Sequence, residues 1–185
     1  MRTEEARLPA TIRTRRLRLR PWSREDADDV LVYAADETWS RFLPVPRPYT
    51  EADARRFVDR QMALDPRRHP CWAIEHGSRA VGGVDLRLLE EGRIGEMGYA
   101  LARPLWGRGL ATEAARAVVG AAFEALPDLV RVRANADARN AASLRVLEKL
   151  GMRREGVLRA NRFVRGEPVD EVWLGVLRDE WEGVG

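Results

Sequence analysis

Apolar positions along the chain switch between two spacings, and the switches outline its elements. Residues 12–21, IRTRRLRLRP, alternate apolar and charged side chains with Leu17 and Leu19 on one side, which predicts a strand with one solvated face. SREDADDVLVYAAD then opens on Ser23, carries acids in its first turn and spaces Val30, Leu31 and Ala34 at helical intervals, predicting an N-capped helix over about 24–36. Three prolines within five residues bar a regular helix or central strand from WSRFLPVPRPYT, 39–50. Trp39, Phe42 and Tyr49 therefore sit in an irregular segment that either lines a pocket or packs beneath a loop. Thr50 caps a second helix over about 51–63, with Phe57 and Met62 directed at the core.

Past the PRRHP turn, CWAIEH (71–76), AVGGVDLRLL (80–89) and IGEMGYALA (94–102) are short apolar or alternating runs that read as an antiparallel meander. Ala111, Ala114, Ala115, Val118, Ala122 and Phe123 make one apolar stripe on a helix over 109–125. VRVRANA (130–136) is a strand. NAASLRVLEKLG (140–151) is a helix that stops at Gly151, and two further strands flank Arg165-Gly166 as a hairpin. The order β, α, α, β, β, β, α, β, α, β, β gives an α/β class with about seven strands in a mixed, mostly antiparallel, twisted sheet and helices on both faces. Residues 1–10 read as a flexible arm and 11–185 as one domain.

Composition narrows the classes of function. No run of about eighteen apolar residues is present, so no membrane helix is expected. MRTEEARLPATIRTRRLRLR lacks the apolar region of an export signal, which leaves the cytoplasm as the expected compartment. Cys71 stands alone, so no internal disulfide forms. His69 and His76 are the only histidines, read as surface or strand-edge residues, and no metal is expected. The net charge of +3 and pI near 9.6 come almost wholly from arginine, with Lys149 the single lysine, and the arginines are interleaved with nearly as many carboxylates. That pattern describes solvated faces, so no specific nucleic-acid partner is expected, although an RNA-associated arginine face remains a reading that steep salt dependence would reveal.

The chemistry-bearing stretch is PLWGRGLATEAARA, 104–117, where Gly107 and Gly109 stand at the head of a helix. A helix N-terminus leaves backbone N–H groups unpaired and carries partial positive charge, so a glycine turn there lets an anion approach. Two readings stand: the glycines only turn the chain, or residues 105–112 cradle a phosphate with help from Arg108. GRGLAT lacks the third glycine of a dinucleotide fingerprint, and no Walker sequence is present.

IGEMGYALARPLWGRGLATEAARAVVGAAF, followed by NAASLRVLEKLGMRREGVLR, resembles the GNAT superfamily of acetyl-CoA-dependent N-acetyltransferases, most closely its RimJ/RimL-like branch of ribosomal-protein N-terminal acetyltransferases. The likeness runs from RLRLRPW at 16–22 to VLRDEW at 176–181. Gly109 and Ala111 match the family's glycine signature, whereas Trp106 stands where Gln or Arg is usual and removes one phosphate contact. The resemblance implies that acetyl-CoA binds where strand 94–102 splays from strand 130–136. Tyr99, Ala100 and Leu101 would pair with the pantetheine as an added strand, and the pyrophosphate would rest on the amides of Trp106, Gly107, Arg108, Gly109, Leu110, Ala111 and Thr112. Asn140 would bond the pantetheine, though it also suits a helix N-cap.

For the reaction, an amine must lose a proton before it attacks the thioester. Ser143 falls where this branch places a serine near the sulfur and is the candidate donor to the thiolate, or else a first-turn helix serine. Glu96, in GEMGY, is the candidate base, or else a solvated or ion-paired strand residue; Asp85 and Asp170 rank behind it. Arg162 occupies the place where some relatives carry a glutamate. With no Ser/His/Asp set and no role for Cys71, direct transfer in a ternary complex is expected. The acceptor is a protein N-terminus or a small amine, and the alternative is a non-catalytic acyl-CoA-binding sensor. Trp173 and the final hairpin offer a surface for a homodimer.

Overall fold

The computed structural model describes residues 7–181. Its strands are β1 (Ile12–Arg13), β2 (Arg18–Arg20), β3 (Cys71–His76), β4 (Arg79–Leu89), β5 (Ile94–Leu101), β6 (Arg131–Asp137), β7 (Arg153–Val164) and β8 (Glu167–Leu177). Its α-helices are α1 (Asp26–Ala34), α2 (Glu51–Met62), α3 (Leu110–Ala125) and α4 (Ala141–Lys149). One sheet holds all eight strands in the order β1-β2-β3-β4-β5-β6-β8-β7. Every neighbouring pair is antiparallel except β5 and β6, which run parallel because α3 carries the chain back between them.

The extra strand comes from the first segment. Residues 12–21 are not one strand: Thr14 N donates to Leu17 O (2.9 Å) and the Thr14 hydroxyl accepts from Leu17 N (3.0 Å), closing a turn between β1 and β2. Leu17 and Leu19 are buried as expected. Ser23 is not a side-chain cap; instead its N–H donates to Asp26 Oδ2 (2.8 Å) ahead of α1. At α2 the capping box of Thr50 and Asp53 is formed, but Met62 is exposed, since the helix ends there with Ala54 and Val58 as its buried face. At the β7–β8 turn Arg165 and Gly166 both take positive φ, 53° and 81°, the conformation a two-residue hairpin turn requires. Of the expected arm, residues 1–6 lie outside the described residues. Leu8 is buried and the Trp72 indole donates to Pro9 O (3.2 Å), so that stretch is tied to the core.

Strand alternation splits the apolar side chains between two layers. Val84, Leu86, Met97, Val132 and Ala134 join α3 and α4 in the larger core. Ala73, Ala80 and Trp22 join α1 and α2 in a smaller one on the opposite face. Among the described residues no helix is long and apolar enough to cross a membrane.

Candidate active site

The sheet is open in its middle. β5 and β6 pair only at Ile94–Arg131, Gly95–Val132 and Glu96–Arg133, then separate. β5 continues to Leu101 along β4, and β6 continues to Asp137 along β8. The β6-facing edge of β5 beyond Glu96 therefore has no strand beside it among the described residues. Backbone groups in a strand point alternately to its two sides. Arg93 O accepts from Val130 N (2.8 Å) on the β6 side, and Ala102 N donates to Val81 O (2.7 Å) on the β4 side. By that alternation Met97, Tyr99 and Leu101 direct their N–H and C=O groups into the gap, and Ala100 directs its own toward β4. Leu101 O is already taken by the Trp106 indole N–H (2.6 Å). Trp106 thus closes the end of the gap with its side chain.

Beyond Trp106 the chain turns into α3 through Gly107 and Gly109, with φ of 73° and 75°, values that L side chains rarely adopt. The first intrahelical bond runs from Glu113 N to Gly109 O (3.0 Å), so the N–H groups of Leu110, Ala111 and Thr112 have no intrahelical acceptor. Leu110 buries its side chain in the core, leaving only its backbone for this end. Arg108 is exposed. A second cation that the sequence motif did not reveal stands here. Arg16 Nη1 donates to Arg108 O (2.9 Å) while its Nε donates to Glu113 Oε2 (2.6 Å). Although burial raises the Glu113 carboxyl, bonds from Thr14 and Arg16 outweigh it and hold the group below the usual range. Glu113 ties the β1–β2 turn to the glycine loop.

α4 begins at the gap's far end. Asn140 Oδ1 accepts from Ser143 N (3.1 Å), the N-cap bond, and its amide nitrogen remains available. Ser143 Oγ lies 2.8 Å from the Tyr99 hydroxyl, which also lies 3.0 Å from Ser143 O. Tyr99 was expected to act through its backbone; its side chain crosses the α4 face to form a hydroxyl pair with Ser143. Burial pushes the Tyr99 phenol up to about 12 against the opposing serine bond, so the pair keeps its protons at neutral pH.

On the α1/α2 face a cavity of about 480 Å³ lies over the gap, reaching from Trp22, Tyr33, Trp39, Phe42, Tyr49 and Phe57 to Gly98, Asn140 and Ser143. The aromatics of the proline-rich segment thus line a pocket. Its roof is pinned by Arg165, which donates to Ser40 O (2.6 Å) and Arg41 O (3.0 Å). Glu96 lies on this face at the fork of the strands. Its Oε1 accepts from Arg87 Nη2 (2.5 Å) and its Oε2 from Arg133 Nη2 (2.8 Å) and Nε (3.1 Å). Arg162 lines the same cavity, with Nε 3.2 Å from Glu171 Oε1. Asp170 is turned to the β7 bulge, accepting from Ala160 N (2.8 Å). Cys71 is half-buried and burial pushes its thiol up to about 11, so it is a protonated thiol at neutral pH. Among the described residues no three His, Cys, Asp or Glu gather as a metal set.

A sheet that parts beside a glycine-headed helix is the arrangement that the resemblance to the GNAT superfamily implies, and comparison with known proteins agrees. Residues 16–153 match the family described as Acetyltransferase (GNAT) domain, and the chain belongs to that family. It is 28% identical over 179 residues to the uncharacterized N-acetyltransferase p20 of Bacillus licheniformis, covering 94% of this chain and 99% of that one. It is 37% identical over 103 residues, 55% of this chain and 56% of the other, to YdaF of Bacillus subtilis, whose name proposes a ribosomal N-acetyltransferase. Among solved structures, a GNAT acetyltransferase from Bacillus anthracis superposes with a TM-score of 0.82 at 27% identity, covering 91% of this chain and 99% of the other. A more distant match, the microcin C7 self-immunity acetyltransferase MccE, shares the fold at TM-score 0.81 and 16% identity, covers 93% of this chain and 98% of the other, and was solved with acetyl-CoA and AMP.

The GNAT family uses acetyl-CoA, and the residues present fit it. The unpaired β5 edge offers the backbone bonds a pantetheine amide needs. A Cβ built on Gly107 would meet nothing within 4 Å, so the cradle at the α3 end is open to an anion.

Proposed function

We propose that this protein transfers the acetyl group of acetyl-CoA to a primary amine, a protein N-terminal α-amino group or a small amine, by direct attack in a ternary complex. The observation that carries the reading is the parting of β5 from β6 after Glu96 and Arg133, in line with the Gly107–Gly109 helix end and facing Ser143. Likeness to YdaF supports the RimJ/RimL-like assignment and a protein acceptor, and a cytoplasmic site of action goes with it. A homodimer through the last hairpin rests on β7, whose Val157, Leu158 and Phe163 face solvent.

In this reading acetyl-CoA supplies an acetyl group activated as a thioester. Met97, Tyr99 and the Leu101 N–H hold the pantetheine, Asn140 adds its free amide, and the amides of 107–112 with Arg108 and Arg16 hold the diphosphate. The Tyr99–Ser143 pair donates a hydrogen bond to the departing sulfur. Glu96 is held between Arg87 and Arg133, so its first role is to fix the fork. Ser143→Ala keeps the backbone N–H that Asn140 caps. It is expected to lower kcat by about tenfold, less than the roughly 10²–10⁴-fold of a full general acid because a hydroxyl is a weak acid. Steady-state kinetics would check it, with KM for acetyl-CoA unchanged; Tyr99→Phe moves kcat the same way.

Acetylation of a library of free-N-terminus peptides and small amines, read by mass spectrometry, tests the function. Acetylated products are expected on at least one class. Acetyl-CoA binding without turnover on any amine would mean a sensor instead.

A further inference from the structure

We infer that Asp85, set in place by His69, receives the acceptor's ammonium group and takes its proton, an inference that rests on the transferase reading above. Asp85 lies on β4 directly opposite Gly98 of β5. A Cβ built on Gly98 would come within 2.8 Å of Asp85 Oδ1, so the carboxylate overhangs the strand just where it leaves β6. His69 Nε2 lies 2.7 Å from Asp85 Oδ2. The segment bearing His69 is stitched to β4 by Leu86 N to Pro70 O (2.9 Å) and Leu88 N to Arg68 O (2.8 Å), which fixes the imidazole on the cavity face.

Three carboxylates line the cavity. Glu96 is bound by Arg87 and Arg133, and Asp137 by Arg139 at 2.7 Å. Asp85 alone of the three has no arginine partner among the described residues, and its Oδ1 accepts no bond there. Its side chain is 35% exposed and that of His69 28%, so a ligand in the cavity reaches Oδ1. Aromatic rings line the same cavity: Trp22 and Phe57 meet edge-on at 5.3 Å, and Tyr33 and Trp39 meet at a tilt at 5.1 Å. Ring faces beside a lone carboxylate favour a cation. The charged and titratable groups around Asp85 are His69 ahead of β3, Cys71 on β3, Arg87 on β4 and Glu96 on β5.

The tautomer assigned from the bond has His69 Nε2–H donating to Oδ2, which leaves the Oδ1 lone pairs for the acceptor. The ammonium gives one proton to Oδ1. The freed nitrogen lone pair forms the C–N bond to the acetyl carbon as the C–S bond breaks, and the sulfur leaves as a thiolate. A second nitrogen proton passes to that sulfur past the Ser143 and Tyr99 hydroxyls, and Asp85 returns its proton to solvent. An ammonium and a thioester thus become an amide, a thiol and one released proton. Asp85 is the catalytic residue; His69 is a positioning residue.

The test compares the wild type with Asp85→Asn, His69→Gln, His69→Leu and Glu96→Gln. Calorimetry measures acetyl-CoA binding, and thiol release is followed with a pool of short peptides bearing free α-amino groups at pH 7 and pH 9. Asp85→Asn is expected to bind acetyl-CoA as the wild type does and to turn over about 100-fold more slowly at pH 7, within the range of a lost general base. The gap should narrow at pH 9, where an α-amino group of usual pKa about 7.7–8.0 arrives already neutral. His69→Leu should lose about tenfold in kcat, and His69→Gln, which keeps an N–H donor, should recover most of it. An Asp85→Asn rate within threefold of wild type at pH 7, an equal deficit at both pH values, or a larger, pH-narrowing loss in Glu96→Gln would overturn the inference. A wild type that binds acetyl-CoA yet acetylates neither the peptides nor a panel of small primary amines would refute the transferase reading itself, and is recognised before any variant is made.

Discussion

Replacing Gly109 by aspartate is expected to remove most coenzyme A affinity from a chain that still folds. Gly109 has φ of 75°, and a Cβ there would first meet Arg16 Nη2 at 3.6 Å, an ordinary contact. Aspartate tolerates the left-handed region better than most residues, so the backbone cost is small. The new carboxylate would stand among the α3 amides proposed to hold the diphosphate. Like charges about 4 Å apart at an effective dielectric near 20 repel by about 4 kcal/mol. Arg16 offsets part of this but is already shared with Glu113. A loss of about 10²–10³-fold in affinity follows, at about 1.4 kcal/mol per decade. Titration calorimetry with coenzyme A checks it. Gly109→Asn makes the same backbone demand without the charge and should lose no more than about tenfold.

Removing the Arg20 side chain should cost the fold about 3 kcal/mol. Arg20 of β2 donates to both Asp26 oxygens at the start of α1, at 2.8 and 2.7 Å, and to Glu75 Oε2 of β3 at 2.5 Å. The Asp26 side chain is 5% exposed and Arg20 16%. Arg20→Ala leaves a buried carboxylate without its cation, a change that costs roughly 3–5 kcal/mol. The lower end applies because Asp26 keeps the Ser23 N–H. For a chain of this size that is about 10 °C in Tm. The hydrogen bond from Arg20 is the first reason the Glu75 carboxyl lies below its usual value, outweighing burial. A carboxyl lowered on folding contributes stability above its unfolded pKa, about 4.3, and loses it as pH falls through the folded value. The difference between wild type and Arg20→Ala in urea melts should therefore be full at pH 7 and shrink below about pH 4. Arg20→Lys keeps the charge but not the fork and should fall between them.

The fold was legible where local chemistry and tertiary packing agree. Arg165-Gly166, the Thr50 cap and the alanine stripe of α3 each state their element, and the helix between two apolar runs implies the parallel β5–β6 pair. The β1–β2 turn was hidden because Thr14 makes it with a hydroxyl rather than with Gly or Pro, and its one trace in the pattern is the change of phase from Ile12 to Leu17. Met62 carries an apolar side chain at a helix end that tertiary packing does not cover. In the site, the glycine loop and Ser143 were visible because they follow short motifs. The Tyr99–Ser143 pair spans 44 positions and His69–Asp85 spans 16. Neither has a local signal; both arise from strand register and from which face a residue takes. The same register explains Glu96, which sits opposite Arg87 across β4 and opposite Arg133 across β6 and so meets two guanidinium groups.

A crystal structure with coenzyme A bound tests the central claim most directly. The diphosphate should lie on the amides between Gly107 and Thr112, the pantetheine should run along β5 between Met97 and Leu101, and the thiol should face Ser143 and Tyr99. Coenzyme A seated elsewhere on the surface, with β5 and β6 parted around nothing, would contradict it.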